Sequence, residues 1–160
     1  MKKFVALFLV ILCLIPTFTG CGLVGEIFNS ISKQDEIDFY NLVYENQAYL
    51  DELADDIYSC WYDYVYEDKY LSPDEAIDEA FAMNEHNIET IIENNSRIRE
   101  LYKDVKDGEL EEEVKDVMYA YNEYYSFIIE VSGSFETFSE SKEPLKKNLS
   151  SALKNLSFEI

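Results

Sequence analysis

Few side chains in this sequence could carry out chemistry, and their spacing sets what that chemistry could be. There is one histidine, His86, and there are three cysteines, at 13, 21 and 60. A cysteine nucleophile needs a base beside it to take its proton. On helical periodicity Cys60 falls on the apolar seam of one segment and His86 on the outward side of another, so the two do not form that pair. Cys60 reads instead as a small buried hydrophobe. His86 shares a row with Glu79, Glu93 and Glu100. Neighbours in such a row stand ~10.5 Å apart along a helix axis, too far for one metal ion to bridge. A carboxylate-bridged di-metal bundle needs Glu-x-x-His on each of two helices, and here Met83 occupies the position three before His86. His86 with Glu89 would make only a loose surface pair. The patterns G-x-S-x-G, H-E-x-x-H and G-x-x-x-x-G-K are absent from the sequence. The expectation is a non-catalytic protein with no cofactor and no metal centre.

Carboxylates and amides offer two other possibilities. Asp51, Glu52, Asp55 and Asp56 form two like-charged pairs four residues apart, each costing a few tenths of a kcal/mol in an isolated helix. Such a patch is either a solvated face or an attraction for Ca²⁺ or a basic partner, although it has neither the spacing nor the turn glycine of an EF-hand. Asn46, Asn84 and Asn95 interrupt otherwise apolar seams. Folding the helices back about their turns brings Asn46 level with residue 93 or so, and Asn95 level with Tyr121. The prediction is one buried polar layer of Asn46, Asn95 and Tyr121 that fixes helix register, as a single buried asparagine does in coiled coils. A polar pocket for a small ligand is the alternative reading. Tyrosine is abundant, with 13 residues, and Tyr40, Tyr44, Tyr58, Tyr62 and Tyr66 flank the first seam. They either rim the core with hydroxyls in water or form an exposed row suited to protein or glycan contacts.

Long helices must position these groups. Phe39, Val43, Asn46, Leu50, Leu53, Ile57, Cys60 and Tyr64 alternate by four and three. So do Ile77, Phe81, Asn84, Ile88, Ile91, Asn95, Ile98, Tyr102 and Val105, and then Leu110, Val114, Val117, Tyr121, Tyr124, Ile128, Val131, Phe135 and Phe138. A 3.5-residue average over about four heptads predicts knobs-into-holes packing. Ser72-Pro73-Asp74-Glu75 is a capping box that opens the second helix, with Glu75 expected to reach back to the Ser72 N–H. Lys103 and Lys106 fall in its last turns, and Gly108 is placed to turn left-handed out of it. Glu109, Glu111, Glu112 and Glu113 then open the third helix. Gly133 weakens that helix by up to ~1 kcal/mol without ending it, and Pro144 starts a fourth segment. The fold class expected is all-α: three long antiparallel helices in a coiled-coil-like bundle plus a short C-terminal fourth helix.

The start of the chain has another character. Lys2 and Lys3 precede an apolar run from Phe4 to Ile15, the charged and apolar regions of a secretory signal. That run is shorter than the ~20 residues a spanning helix needs. Phe18-Thr19-Gly20-Cys21 then resembles the lipobox of bacterial lipoproteins: an apolar residue, two small residues and a cysteine. The resemblance covers residues 1–21 only. It implies diacylglycerol on the Cys21 sulfur and cleavage after Gly20, which leaves the protein tethered to the outer face of a bacterial membrane rather than spanning it. Residues 1–20 are thus the expected signal peptide, 21–31 a tether and 32–160 the helical domain. The tether is amphipathic, with Leu23, Val24, Ile27, Phe28 and Ile31 at helical spacing, so it either lies on the lipid surface or extends the first helix. An acylated Cys21 leaves Cys60 without a disulfide partner.

Charge narrows the partners. The whole chain carries a formal −20, with 13 basic against 33 acidic residues, and loss of Lys2 and Lys3 with the leader would make it −22. That field disfavours nucleic acid and anionic headgroups and favours a basic protein or peptide, or cations. Residues 142–160 run against the trend, with Lys142, Lys146, Lys147 and Lys154 against Glu143 and Glu159, so this piece is expected either to dock on the acidic body or to be drawn to the membrane. The expected function is a lipid-anchored binding or interaction module. The alternative is a small-ligand or cation receptor using the bundle interior or the acidic face.

Overall fold

The alternation of apolar positions is realised entirely as helix. A computed structural model describes the backbone of residues 21–160 and the side chains of residues 33–160. It contains α1 (Cys21–Tyr66), α2 (Pro73–Met83), α3 (Glu85–Val105), α4 (Glu111–Ile129) and α5 (Phe135–Leu156), with no strand among the described residues. The chain divides into two compact units, Met1–Ile31 and Ser32–Ile160. The expected leader, 1–20, lies outside the described residues, as does the side chain of Cys21. In the first unit, residues 21–31, expected as the tether, are helical.

Contacts within the second unit give the helix directions. Along α1, Phe39 meets Tyr102, Asn46 meets Ile91 and Asp56 meets Asn84, so α2 and α3 run opposite to it. Tyr121 and Tyr124 follow Asn46 and Asp51 in the same order, so α4 runs alongside α1. Gln47 meets Ser150, Asp55 meets Lys142 and Tyr58 meets Phe135, which makes α5 antiparallel again. The core between them holds Phe39, Val43, Leu50, Leu53 and Ile57 of α1 with Ile91, Ile98, Val114, Val117, Ile128, Phe138, Leu149 and Leu156. Each fully buried side chain of this size contributes about 1.5–3 kcal/mol.

The expected helix boundaries need correction at three places. Helix three stops at Ile129, because Gly133 adopts φ +92 and opens a new helix at Phe135, capped by the Ser134 hydroxyl. The fourth helix is consequently 22 residues long rather than a short C-terminal piece, and Pro144 lies inside it instead of at its start. A proline there has no N–H for the preceding turn, a cost of about 3 kcal/mol that tertiary contacts of α5 must offset. The second predicted helix is two, α2 and α3, parted at Asn84. Gly108, expected to be left-handed, is not, and its N–H bonds to the Val105 carbonyl at 3.0 Å. Gly108 still lies in the break between α3 and α4, and the left-handed turn expected there is made by Gly133. Ser72 does cap α2, accepting from the Glu75 N–H at 3.1 Å, but the Glu75 carboxylate takes the Leu71 N–H, not that of Ser72.

Packing along α2 differs from the predicted seam by one residue, with Ala76 and Ala80 buried and Ile77 and Phe81 half-buried. The predicted positions Asn84, Ile91, Ile98 and Val105 are buried, while Ile88 and Asn95 are half-buried and Asn94 is buried in addition. Two alanines at the contact let α2 approach its neighbours closely, and the larger Ile77 and Phe81 pack at the flank of the core.

Candidate functional site

The Asn46 side chain is wholly buried in α1 and reaches two other helices. Its Nδ2 donates to the Tyr121 hydroxyl of α4 at 2.8 Å and to the Ile91 carbonyl of α3 at 3.3 Å. A carbonyl can only accept, so the Ile91 bond fixes which end of the amide is nitrogen. Tyr121 in turn donates to Asn95 Oδ1 at 3.3 Å. The three residues expected to share a layer, Asn46, Asn95 and Tyr121, are thus brought together; Asn95 sits at its half-buried edge. Burial pushes the Tyr121 hydroxyl well above the ordinary tyrosine range, opposed by the bond from Asn46. Such a group is a donor at every physiological pH.

One turn further along α1 a second cluster begins. From the sequence, this stretch is either a solvated acidic face or an attraction for cations or a basic partner, and separately the C-terminal piece is expected either to dock on the acidic body or to be drawn to the membrane. Asp51 accepts from the Tyr124 hydroxyl of α4 at 2.7 Å and pairs with Lys146 of α5 at 3.0 Å. Asp55 pairs with Lys142 at 2.6 Å, and that ammonium also sits 4.9 Å from the centre of the Tyr58 ring. Glu52 and Asp56, rotated about 100° around the helix, instead accept from Asn87 at 3.1 Å and Asn84 at 2.8 Å. Asn84 closes the network by donating to the Ala80 carbonyl at 3.0 Å where α2 ends. All four carboxylates therefore have partners within the chain, drawn from each side of α1. The quartet is an internal clamp, and the basic C-terminal helix docks on it. The signal missed in the sequence was the i, i+4 match between Asp51 and Asp55 on one side and Lys142 and Lys146 on the other.

The remaining candidates are dispersed. Cys60 is buried, with the Tyr70 hydroxyl 3.6 Å from its sulfur, and His86 is exposed. Among the described residues no group of three or more His, Cys, Asp or Glu side chains is placed to hold a metal ion. Glu36 is a buried acid that sequence reasoning did not single out. It is 5 % exposed and its Oε1 lacks a hydrogen-bond partner among the described residues. Burial first, and then the charge of Glu109, raises its pKa above the ordinary carboxylate value.

At the C-terminal end of α1 the tyrosines do form a row. Tyr58, Tyr62 and Tyr66 follow one another with ring centres 6.3 and 4.6 Å apart, and each meets Phe135 of α5 at 5.3–6.2 Å. The buried Trp61 meets Phe135 and itself packs against Phe138. Tyr62 and Tyr66 are 40 % and 61 % exposed, Val65 43 %, and Leu71 in the following loop 93 %. That loop is held by Lys69, which pairs with Asp63 at 2.8 Å, and by Asp68 at φ +50. The chain matches no protein-family model, no curated protein and no solved structure.

Two predictions follow from the buried groups. Replacing Tyr121 by Phe takes the nearer of two acceptors from the buried Asn46 amide and the donor from Asn95 Oδ1, and should lower the unfolding free energy by about 1–3 kcal/mol in urea titrations. Glu36, with its folded pKa raised, favours folding only below the ordinary carboxylate pKa, and that contribution is lost as the pH rises through the raised value. Glu36→Gln should therefore raise the melting temperature at pH ~7, and the gain should shrink near pH ~3.5, where both carboxyl states are protonated.

Proposed function

We propose that this chain is a non-catalytic, lipid-anchored interaction module on the outer face of a bacterial membrane, held there by a diacylglyceryl group on Cys21. The scaffold inferred for it is an antiparallel bundle packed in the coiled-coil manner. The observation that carries the binding role is the exposed aromatic strip of Tyr62 and Tyr66, continued by Val65 and Leu71. Large side chains at such exposure, the two tyrosines among them meeting Phe135 edge-on, have the composition of a contact surface. Those ring contacts also lower the ordering cost that a partner would otherwise meet.

Charge selects the partner. Close in sequence to the strip stand Asp63, Glu67, Asp68, Asp74, Glu75 and Glu136, against Lys69 among residues 58–79 and Lys142 over the Tyr58 ring. A basic protein segment with apolar side chains complements both features: its cations meet these carboxylates and its apolar groups cover the tyrosines and Leu71. The cation-receptor alternative draws no support from the acidic quartet, because those carboxylates already have partners.

Two measurements test this reading. Intact-mass analysis of the membrane-extracted protein should give a chain starting at Cys21 with acyl chains attached, and a bare sulfur removes the anchoring. Photo-crosslinking on intact cells from position 66 should yield a protein adduct mapped to a basic segment. The adduct should be lost in Val65→Ser/Leu71→Ser, a change at exposed positions outside the ring contacts that should alter stability by no more than about 0.5 kcal/mol per site. Equal adducts from a control position such as Glu89, or none from position 66, contradict the docking face.

A further inference from the structure

Apart from the lysines of α5, the basic side chains of this acidic protein gather mainly in one groove. Of the 13, Lys2 and Lys3 lie in the leader, and four of the other eleven, Arg99, Lys103, Lys106 and Lys115, line a single groove between α3 and α4 with a volume of about 800 Å³. Tyr102, Met118 and Tyr119 supply its apolar wall, and Asp116 is the only acid in the lining, a net charge of +3. The groove lies at the end of the bundle where α1 carries Phe39, against which Tyr102 packs with ring centres 6.3 Å apart. It is therefore at the opposite end from the tyrosine strip.

Its cations are available. Arg99 reaches across the helices to Asn122 Oδ1 at 2.9 Å, which holds the guanidinium over the groove through a neutral bond. Lys106 pairs with Asp107 and Lys115 with Glu111, both exposed pairs, and such pairs are worth only ~0–1 kcal/mol, so an incoming anion displaces them cheaply. Lys103 takes part in none of the ion pairs or side-chain hydrogen bonds among the described residues. A volume in the range of small-molecule sites, an aromatic wall and a few convergent charges are the ordinary ingredients of a ligand pocket.

We infer that this groove binds an anionic amphiphile: a phosphate ester carried on an apolar chain or ring. The two halves of the ligand answer two features of the site. A formal charge of −20 over the whole chain repels a bare anion at long range, and the four cations dominate only within the Debye length of ~8–10 Å. Charge alone thus gives weak binding. The apolar wall adds the rest by covering Tyr102, Met118 and Tyr119. The phosphate ester could be a free metabolite or the headgroup of a membrane phospholipid. This site does not depend on the docking face proposed above.

The test uses the full chain, isotope-labelled and held in phosphatidylcholine nanodiscs, titrated with hexyl phosphate while amide NMR signals are followed. Signals of Tyr102, Lys103, Met118 and Tyr119 should shift together, and hexanol or inorganic phosphate at the same concentration should leave them nearly unmoved. Lys103→Gln should weaken the hexyl phosphate response about fivefold, the scale of one charge-assisted contact, and Lys147→Gln, outside the groove, should leave it unchanged. Nanodiscs containing phosphatidylglycerol separate the sources: groove signals that move without added ester assign a bilayer lipid, and signals that still wait for hexyl phosphate assign a soluble one. Shifts scattered over the surface, or the same shifts in Lys103→Gln, overturn the inference.

Discussion

A single amide in the first long helix constrains the rest of this structure. Asn46 is fully buried, and its two donor contacts go to different helices, Tyr121 on α4 and the Ile91 carbonyl on α3. If α4 slid by one turn against α1, the Tyr121 hydroxyl would be carried away from that amide, and an unpaired buried polar group costs about 1–3 kcal/mol. Apolar seams by themselves tolerate such slips, because one heptad resembles the next. The polar layer removes that tolerance, and we infer that register, not added stability, is what it contributes.

Everything with a possible function sits at a fixed distance from that layer. With register set, Asp51 meets Tyr124 and Lys146, and Asp55 meets Lys142, so the positively charged last helix is drawn onto the acidic first one. Lys142 then covers the Tyr58 ring, and Phe135 is delivered beside Tyr58, Tyr62 and Tyr66. Towards the other end, the same register puts the last turns of α3 beside the first turns of α4 and gathers Arg99, Lys103, Lys106 and Lys115 around one groove. An aromatic surface and a basic groove thus occupy opposite ends of one scaffold.

What the sequence made legible was the part governed by periodicity. Phe39, Val43, Asn46, Leu50, Leu53 and Ile57, and then Val114, Val117, Tyr121, Tyr124 and Ile128, are all fully buried, because a strict four–three spacing leaves a helix only one face to bury. Asn46, Asn95 and Tyr121 could be matched by counting from the turns for the same reason. Breaks were harder to read. Gly133 and Gly108 look alike in sequence, and which of them turns left-handed depends on whether the chain beyond has a packing site to return to. Pro144 reads as a helix start by local rules, yet α5 runs through it while docked by Lys142 and Lys146. The acidic quartet was seen as a row of like charges because its partners lie 28 to 95 residues away. The groove was invisible for a similar reason: its cations are spread over residues 99–115 and converge only when two helices lie side by side.

The central claim is that the Tyr121 hydroxyl is locked in a dry layer between three helices. Site-resolved NMR of ¹³Cζ-labelled tyrosine across an alkaline titration measures that directly. The account predicts that Tyr121 stays neutral through the range in which a solvated tyrosine ionises, near pH ~10. A Tyr121 signal that titrates in that range would mean that its hydroxyl sees water, and the layer, with the register argument built on it, would not stand.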